Sequence, residues 1–92
     1  MAEVTGVRAQ IAIRVRYFAA ARAAAGTEEE VMHLSAGSTL ADLVATLSGR
    51  GLELDRVLQR CSYLCDSFAV RDPQTVIESG QTVDVLPPFA GG

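Results

Sequence analysis

Between Gln10 and Tyr17 the chain alternates, with Ile11, Ile13, Val15 and Tyr17 on one side and Arg14 and Arg16 on the other. A period of two predicts a strand with one buried face. The next segment, Ala19–Ala25, is alanine around Arg22, and alanine is the strongest helix former; Gly26 then supplies a C-terminal stop. Glu30-Val31-Met32-His33-Leu34 predicts a second short strand paired with the first, and the acidic run Glu28-Glu29-Glu30 leads into it as a solvated stretch. Thr39 closes the turn Ser35–Ser38 as an N-cap, with Asp42 three residues on in capping-box register. Leu40, Leu43, Val44 and Leu47 mark one face of the main amphipathic helix, which stops at Ser48-Gly49.

A second short helix is expected over Leu52–Arg60, with Leu54, Val57 and Leu58 inward. Tyr63-Leu64-Cys65 and Phe68-Ala69-Val70 read as strand segments about the turn-prone Asp66-Ser67. Further turns at Asp72–Thr75 and Glu78–Gln81 precede a final strand, Thr82–Leu86, with Val83 and Val85 facing one way. Pro87-Pro88 ends its ladder, because neither residue has an N–H to donate. Strands around one principal helix make an α+β domain. It occupies residues 10–86, between a loose arm at 1–9 and an extended tail at 87–92.

Composition narrows the chemistry. The chain has 92 residues, 49% of them hydrophobic and 21% charged, enough for one small core and too few for a deep cofactor cleft as well. Its eight basic residues, all arginine, are dispersed among eleven acidic ones, for a net charge of −3. Nucleic-acid binding wants a dense basic face and is disfavoured. With no lysine, no side-chain amine is available for Schiff-base chemistry or for isopeptide attachment onto the chain. No apolar run approaches a membrane span, and Met1–Gln10 lacks the pattern of a signal peptide, so a cytoplasmic protein is expected. In that compartment Cys61 and Cys65 stay thiols, and a buried structural role is expected for both. Two cysteines and the single His33 are too few for a metal site, and no Gly-rich phosphate loop occurs. His33 reads as a structural or exposed residue of its strand.

What remains is the C-terminal sequence Leu86-Pro87-Pro88-Phe89-Ala90-Gly91-Gly92. The diproline favours an extended exit from the strand and lowers the entropy lost when a partner grips the tail. Pro88–Gly92 reaches at most about 16–18 Å. Ala90, Gly91 and Gly92 carry almost no side-chain bulk, so this segment can thread a narrow channel and bring a carboxylate to another protein's active site. A carboxylate becomes reactive once an oxygen is made a leaving group. Adenylation of Gly92 does this, and sulfur displacing the AMP leaves a thiocarboxylate, a good sulfur nucleophile.

At these residues the sequence resembles the ubiquitin-like sulfur carriers of the β-grasp fold, and within them the MoaD type, the small subunits of molybdopterin synthase. Three motifs carry the resemblance: Phe18-Ala19-Ala20-Ala21-Arg22-Ala23-Ala24-Ala25-Gly26 after the first strand, Gly37-Ser38-Thr39-Leu40-Ala41-Asp42-Leu43 at the main helix, and Ser79-Gly80-Gln81-Thr82-Val83-Asp84-Val85-Leu86-Pro87-Pro88-Phe89-Ala90-Gly91-Gly92. The terminal block is the most specific. Two turns depart from the family pattern: Gln81 replaces a common acidic residue, and Asp66-Ser67 stands where Asn-Gly is frequent.

The resemblance implies a mixed sheet with the first and last strands central, packed on the Thr39–Ser48 helix. It implies that Gly92 is adenylated by a MoeB-like enzyme that consumes ATP and then receives sulfur. A MoaE-like large subunit, in a heterotetramer of two small and two large subunits, would take the tail and pass the sulfur to cyclic pyranopterin monophosphate in molybdenum cofactor biosynthesis. The chain would then be a sulfur donor with no catalysis of its own and no stably bound cofactor. Leu86, Pro88, Phe89, Ala90 and Gly91 match the approach to the reactive end, and Arg22 matches a helix arginine suited to partner contact. Arg22 also reads as a solvated charge, and Leu86 as core. Competing readings are a carrier for thiamine, cysteine or tRNA thiolation, a ubiquitin-like protein modifier, and a binding module with an inert tail.

Overall fold

A computed structural model describes residues 9–88. Residues 1–8 of the expected arm and Phe89, Ala90, Gly91 and Gly92 of the expected tail lie outside the described residues. The chain runs β1 (Gln10–Tyr17), α1 (Ala19–Ala25), β2 (Glu29–Ser35), α2 (Leu40–Ser48), α3 (Leu52–Leu58), β3 (Ser62–Cys65), β4 (Phe68–Val70) and β5 (Thr82–Leu86). The five strands form one mixed sheet in the order β2-β1-β5-β3-β4. Strands β1 and β5 pair in parallel, Arg14 with Thr82 through Tyr17 with Val85, while the other neighbours are antiparallel. The first and last strands are therefore central, in a ubiquitin-like β-grasp fold.

One face of the sheet makes the core. Ile13, Val15, Tyr17, Met32, Leu34, Val83 and Val85 pack with Ala21, Leu40, Leu43, Leu47, Leu54, Leu58 and Ile77 from the helices and loops. The alternation in β1 thus had its predicted sense, and Ile11 at the strand's open end is half-buried. Helix α2 begins as its sequence demands: Thr39 Oγ1 accepts from the Asp42 N–H at 3.2 Å, and Asp42 returns the bond to the Thr39 N–H at 2.9 Å. Helix α1 ends at Gly26, whose φ of +80° suits a residue without Cβ and directs its N–H to the Arg22 carbonyl. Helix α3 is shorter than the expected Leu52–Arg60. Arg60 and Cys61 turn their N–H groups to the carbonyls of Val57 and Leu58, three residues back, and tighten the chain into a turn before β3.

Two expectations about single residues need correction. Glu28-Glu29-Glu30 is not uniformly solvated, because strand alternation places Glu29 on the open face and Glu30 on the helix side, where it is half-buried. The cysteines are half-buried at the margin of the core rather than buried within it. Cys61 Sγ donates to the Val57 carbonyl.

The β3–β4 hairpin explains one departure from the family pattern. Asp66 and Ser67 both have positive φ, +48° and +74°, as a two-residue type I′ turn requires. Asp66 is tied to the start of β5: its N–H donates to the Thr82 carbonyl at 2.8 Å, and its Oδ1 accepts from the Thr82 N–H at 2.9 Å. Among the described residues Ser67 has no such compensation and carries the left-handed strain. Ser67→Gly is expected to stabilise the fold by about 0.5–1 kcal/mol, read as a rise of a few degrees in Tm.

Candidate functional site

The tail leaves the fold from its central strand. Leu86, the last residue of β5, is half-buried and pairs with Ser62 of β3. Pro87 is half-buried and Pro88 exposed, so the chain emerges over these two positions. The Phe18 N–H, at the cap of α1, donates to the Val85 carbonyl at 3.2 Å and fixes the helix beside the end of β5. Arg22 lies one turn along that helix. Its side chain is exposed and pairs with the Glu28 carboxylate at 3.5 Å. The structure thus anchors the start of the helix that carries Arg22 beside the strand end from which Leu86 and Pro88 lead out. Phe89, Ala90, Gly91 and Gly92 follow outside the described residues.

The same end carries a feature that the sequence pattern did not predict. Register puts Ala69, Leu64, Asp84, Arg16 and Glu29 in one row across the sheet face that the helices leave uncovered. Asp84 is buried on this open face, only 6% exposed. Arg16 grips it with two charge-assisted bonds, Nε to Oδ1 at 2.6 Å and Nη2 to Oδ2 at 2.9 Å. The Arg16 guanidinium also lies 5.6 Å from the centre of the Phe18 ring. Strand period alone marks Asp84 as outward-facing; its burial depends on a β1–β5 register that no local signal contains.

On the helix side, Glu30 collects three donors. Tyr17 Oη donates to Oε2 at 2.5 Å, and Arg50 donates through Nη1 at 2.7 Å and Nη2 at 3.0 Å. Arg50 and Tyr17 hold the Glu30 carboxyl below its ordinary value of 4.5, against the opposing effect of burial. A depressed carboxylate pKa stabilises the fold above the unfolded value, and that stabilisation is lost as pH falls through the folded one. Wild-type protein is therefore expected to lose about 1 kcal/mol more stability than Glu30→Gln between pH 7 and pH 3, a difference measurable by denaturant titration at each pH.

Neither cysteine is an activated nucleophile. Burial pushes the Cys61 thiol up to about 11, and burial with the nearby Asp66 charge raises Cys65. At neutral pH both are thiols of low reactivity. His33 is exposed on β2. No group of three or more His, Cys, Asp or Glu residues that could hold a metal occurs among the described residues, and no helix there is long and apolar enough to cross a membrane. The chemical resources among the described residues are thus a chain that emerges at Pro87-Pro88, a cation held on the sheet face and a second, exposed arginine.

Known proteins are similar to this chain in sequence and in fold. The family model of the ThiS family matches residues 15–92. The molybdopterin synthase sulfur carrier subunit of Chlamydomonas reinhardtii is 32% identical over 81 residues, spanning 87% of this chain and 98% of that one. Among solved structures, SAMP1 from Haloferax volcanii superposes with a TM-score of 0.76 at 20% identity, over 88% of this chain and 99% of the other. Subunit 1 in the complex of subunits 1 and 2 of molybdopterin-converting factor from Helicobacter pylori is also similar, with TM-score 0.64, 24% identity, and 89% and 100% coverage. At those identities the two structures speak for the β-grasp fold. The family match and the algal relative reach further: the chain belongs to the ThiS family of ubiquitin-like sulfur carriers and is a homologue of the molybdopterin synthase small subunit.

Proposed function

We propose that this chain is the sulfur-carrying small subunit of a molybdopterin synthase, with the Gly92 carboxyl group as its reactive centre. The observation that carries the reading is the continuity between a central strand ending at Leu86-Pro87-Pro88 and the tail Phe89-Ala90-Gly91-Gly92, in a chain that matches a sulfur carrier subunit over nearly that protein's whole length. A MoeB-like enzyme joins AMP from ATP to the Gly92 carboxylate and releases pyrophosphate. A sulfur donor then displaces AMP and leaves a thiocarboxylate. A MoaE-like large subunit takes the tail, and the thiocarboxylate sulfur passes to cyclic pyranopterin monophosphate. The structure of the Helicobacter pylori subunits in complex supports a large-subunit partner, and two small with two large subunits is the assembly proposed.

The rest of the chain keeps this reagent intact. An acyl adenylate is captured by any good nucleophile within reach. The chain has no lysine, and its Cys61 thiol is pushed up to about 11. Neither side-chain amine nor thiolate competes with the incoming sulfur at neutral pH. Catalytic side chains belong to the partners, and ATP is consumed by the activating enzyme.

Intact-mass measurement tests the reading. After incubation with ATP, the activating enzyme and a sulfur donor, the chain is expected to gain the mass difference between sulfur and oxygen. An unchanged mass beside an enzyme proven active on another carrier would overturn it.

A further inference from the structure

The Arg16–Asp84 pair is more than a strand-to-strand brace. A buried ion pair adds little net stability, since desolvating the carboxylate consumes most of the attraction, and an apolar pair of similar volume serves a sheet equally well. What the arrangement does produce is an arginine in a fixed pose. Asp84 lies beneath, 6% exposed, while the Arg16 side chain keeps 44% of its surface open. Two of its three nitrogens are committed to Asp84, and Nη1 has no protein acceptor among the described residues. Phe18 lies under the guanidinium and is itself 38% exposed, and Leu64 and Leu86 flank Asp84 on the same face. An oriented guanidinium within a partly apolar patch is the composition of an interface hot spot.

The occupant follows from continuity. Leu86 belongs both to this face and to the root of the tail, two residues beyond Asp84. A protein that grips the tail where it emerges must therefore lie against the patch. Taking the proposed function as given, we infer that Arg16 is a specificity-determining residue for docking the synthase large subunit, which meets it with an acidic side chain set among apolar ones. Arg16 offers that partner an exposed cation on a chain that is negative as a whole, with Glu29 its neighbour in the row, so the contact also selects orientation.

The test exchanges the two charges. Arg16 and Asp84 are direct register partners, so Arg16→Asp combined with Asp84→Arg keeps an internal pair and reverses the sign of the outward pole. Binding to the molybdopterin synthase large subunit of the same organism is measured by calorimetry, with a thermal melt of each variant. The exchanged protein is expected to melt near wild type and to bind at least about tenfold more weakly. Should the exchange impair folding, Arg16→Gln removes the cation while keeping a donor to Asp84, and the same loss is expected, with Arg16→Lys retaining more affinity than Arg16→Gln. Wild-type affinity in a folded exchange variant, or in Arg16→Gln, would overturn the inference and leave the proposed function standing. Failure of wild-type protein to bind the large subunit would overturn both.

Discussion

Deleting Gly92 is expected to leave a chain that melts like wild type and accepts no sulfur. The first half follows from the fold. The last strand ends at Leu86, and none of the core residues lies beyond Val85, so the deletion removes no described packing or ladder bond. Changes away from such features stay within about 0.5 kcal/mol. The second half follows from reach. Losing one residue withdraws the terminal carboxylate by about 3.5 Å, whereas a displacement of only about 1 Å from the attacking geometry costs roughly a hundredfold in rate. Adenylation and sulfur loading should both fall by at least about that factor, measured as ATP-dependent pyrophosphate release and as intact mass. A loaded Gly92-deleted chain would place the chemistry elsewhere.

The second large effect lies in the core. Leu43 is fully buried on the α2 face that packs against the sheet. Leu43→Ala leaves a cavity and is expected to cost about 2–5 kcal/mol. A domain of this size holds only about 5–14 kcal/mol in total, so Tm should fall by at least about 10 °C. Leu52 is the internal control. It is a leucine of similar local pattern at the start of α3, but it is 71% exposed, and Leu52→Ala should change stability by less than about 0.5 kcal/mol. Chemical denaturation of the two variants checks both values. Equal losses would mean that the helical layer packs differently.

These contrasts mark what local sequence reveals. The alternation Ile11 to Tyr17, the Thr39–Asp42 capping box and the Gly26 stop are signals within a few residues, and each is realised in the structure. Asp84 and Glu30 are different. Each is acidic within a polar context, and each owes its setting to partners far along the chain: Arg16 is 68 residues from Asp84, and Arg50 is 20 from Glu30. Alternation gives the side of the strand on which each lies, but only the tertiary register brings Arg16 to Asp84 and Arg50 to Glu30, so no periodicity identifies these pairs. Leu52, left out of the inward set Leu54, Val57 and Leu58, is exposed as that pattern implies, and Phe68 is a large apolar residue that the fold also leaves exposed. The tail is legible for another reason: its proposed chemistry is that of a terminal carboxyl group on a slender segment, which needs no folded cavity.

The parallel β1–β5 pairing has a consequence for how the protein is made. The sheet's centre joins the earliest strand synthesised to the latest, so closing it spans a loop of some 68 residues. Such non-local pairing is slow and comes after the local helices and the antiparallel β1–β2 pair. A nascent chain that lacks β5 leaves an open edge on β1 and nothing to join the β2-β1 pair to β3-β4. Folding thus waits for β5, and a product truncated before Thr82 cannot offer the proposed docking face.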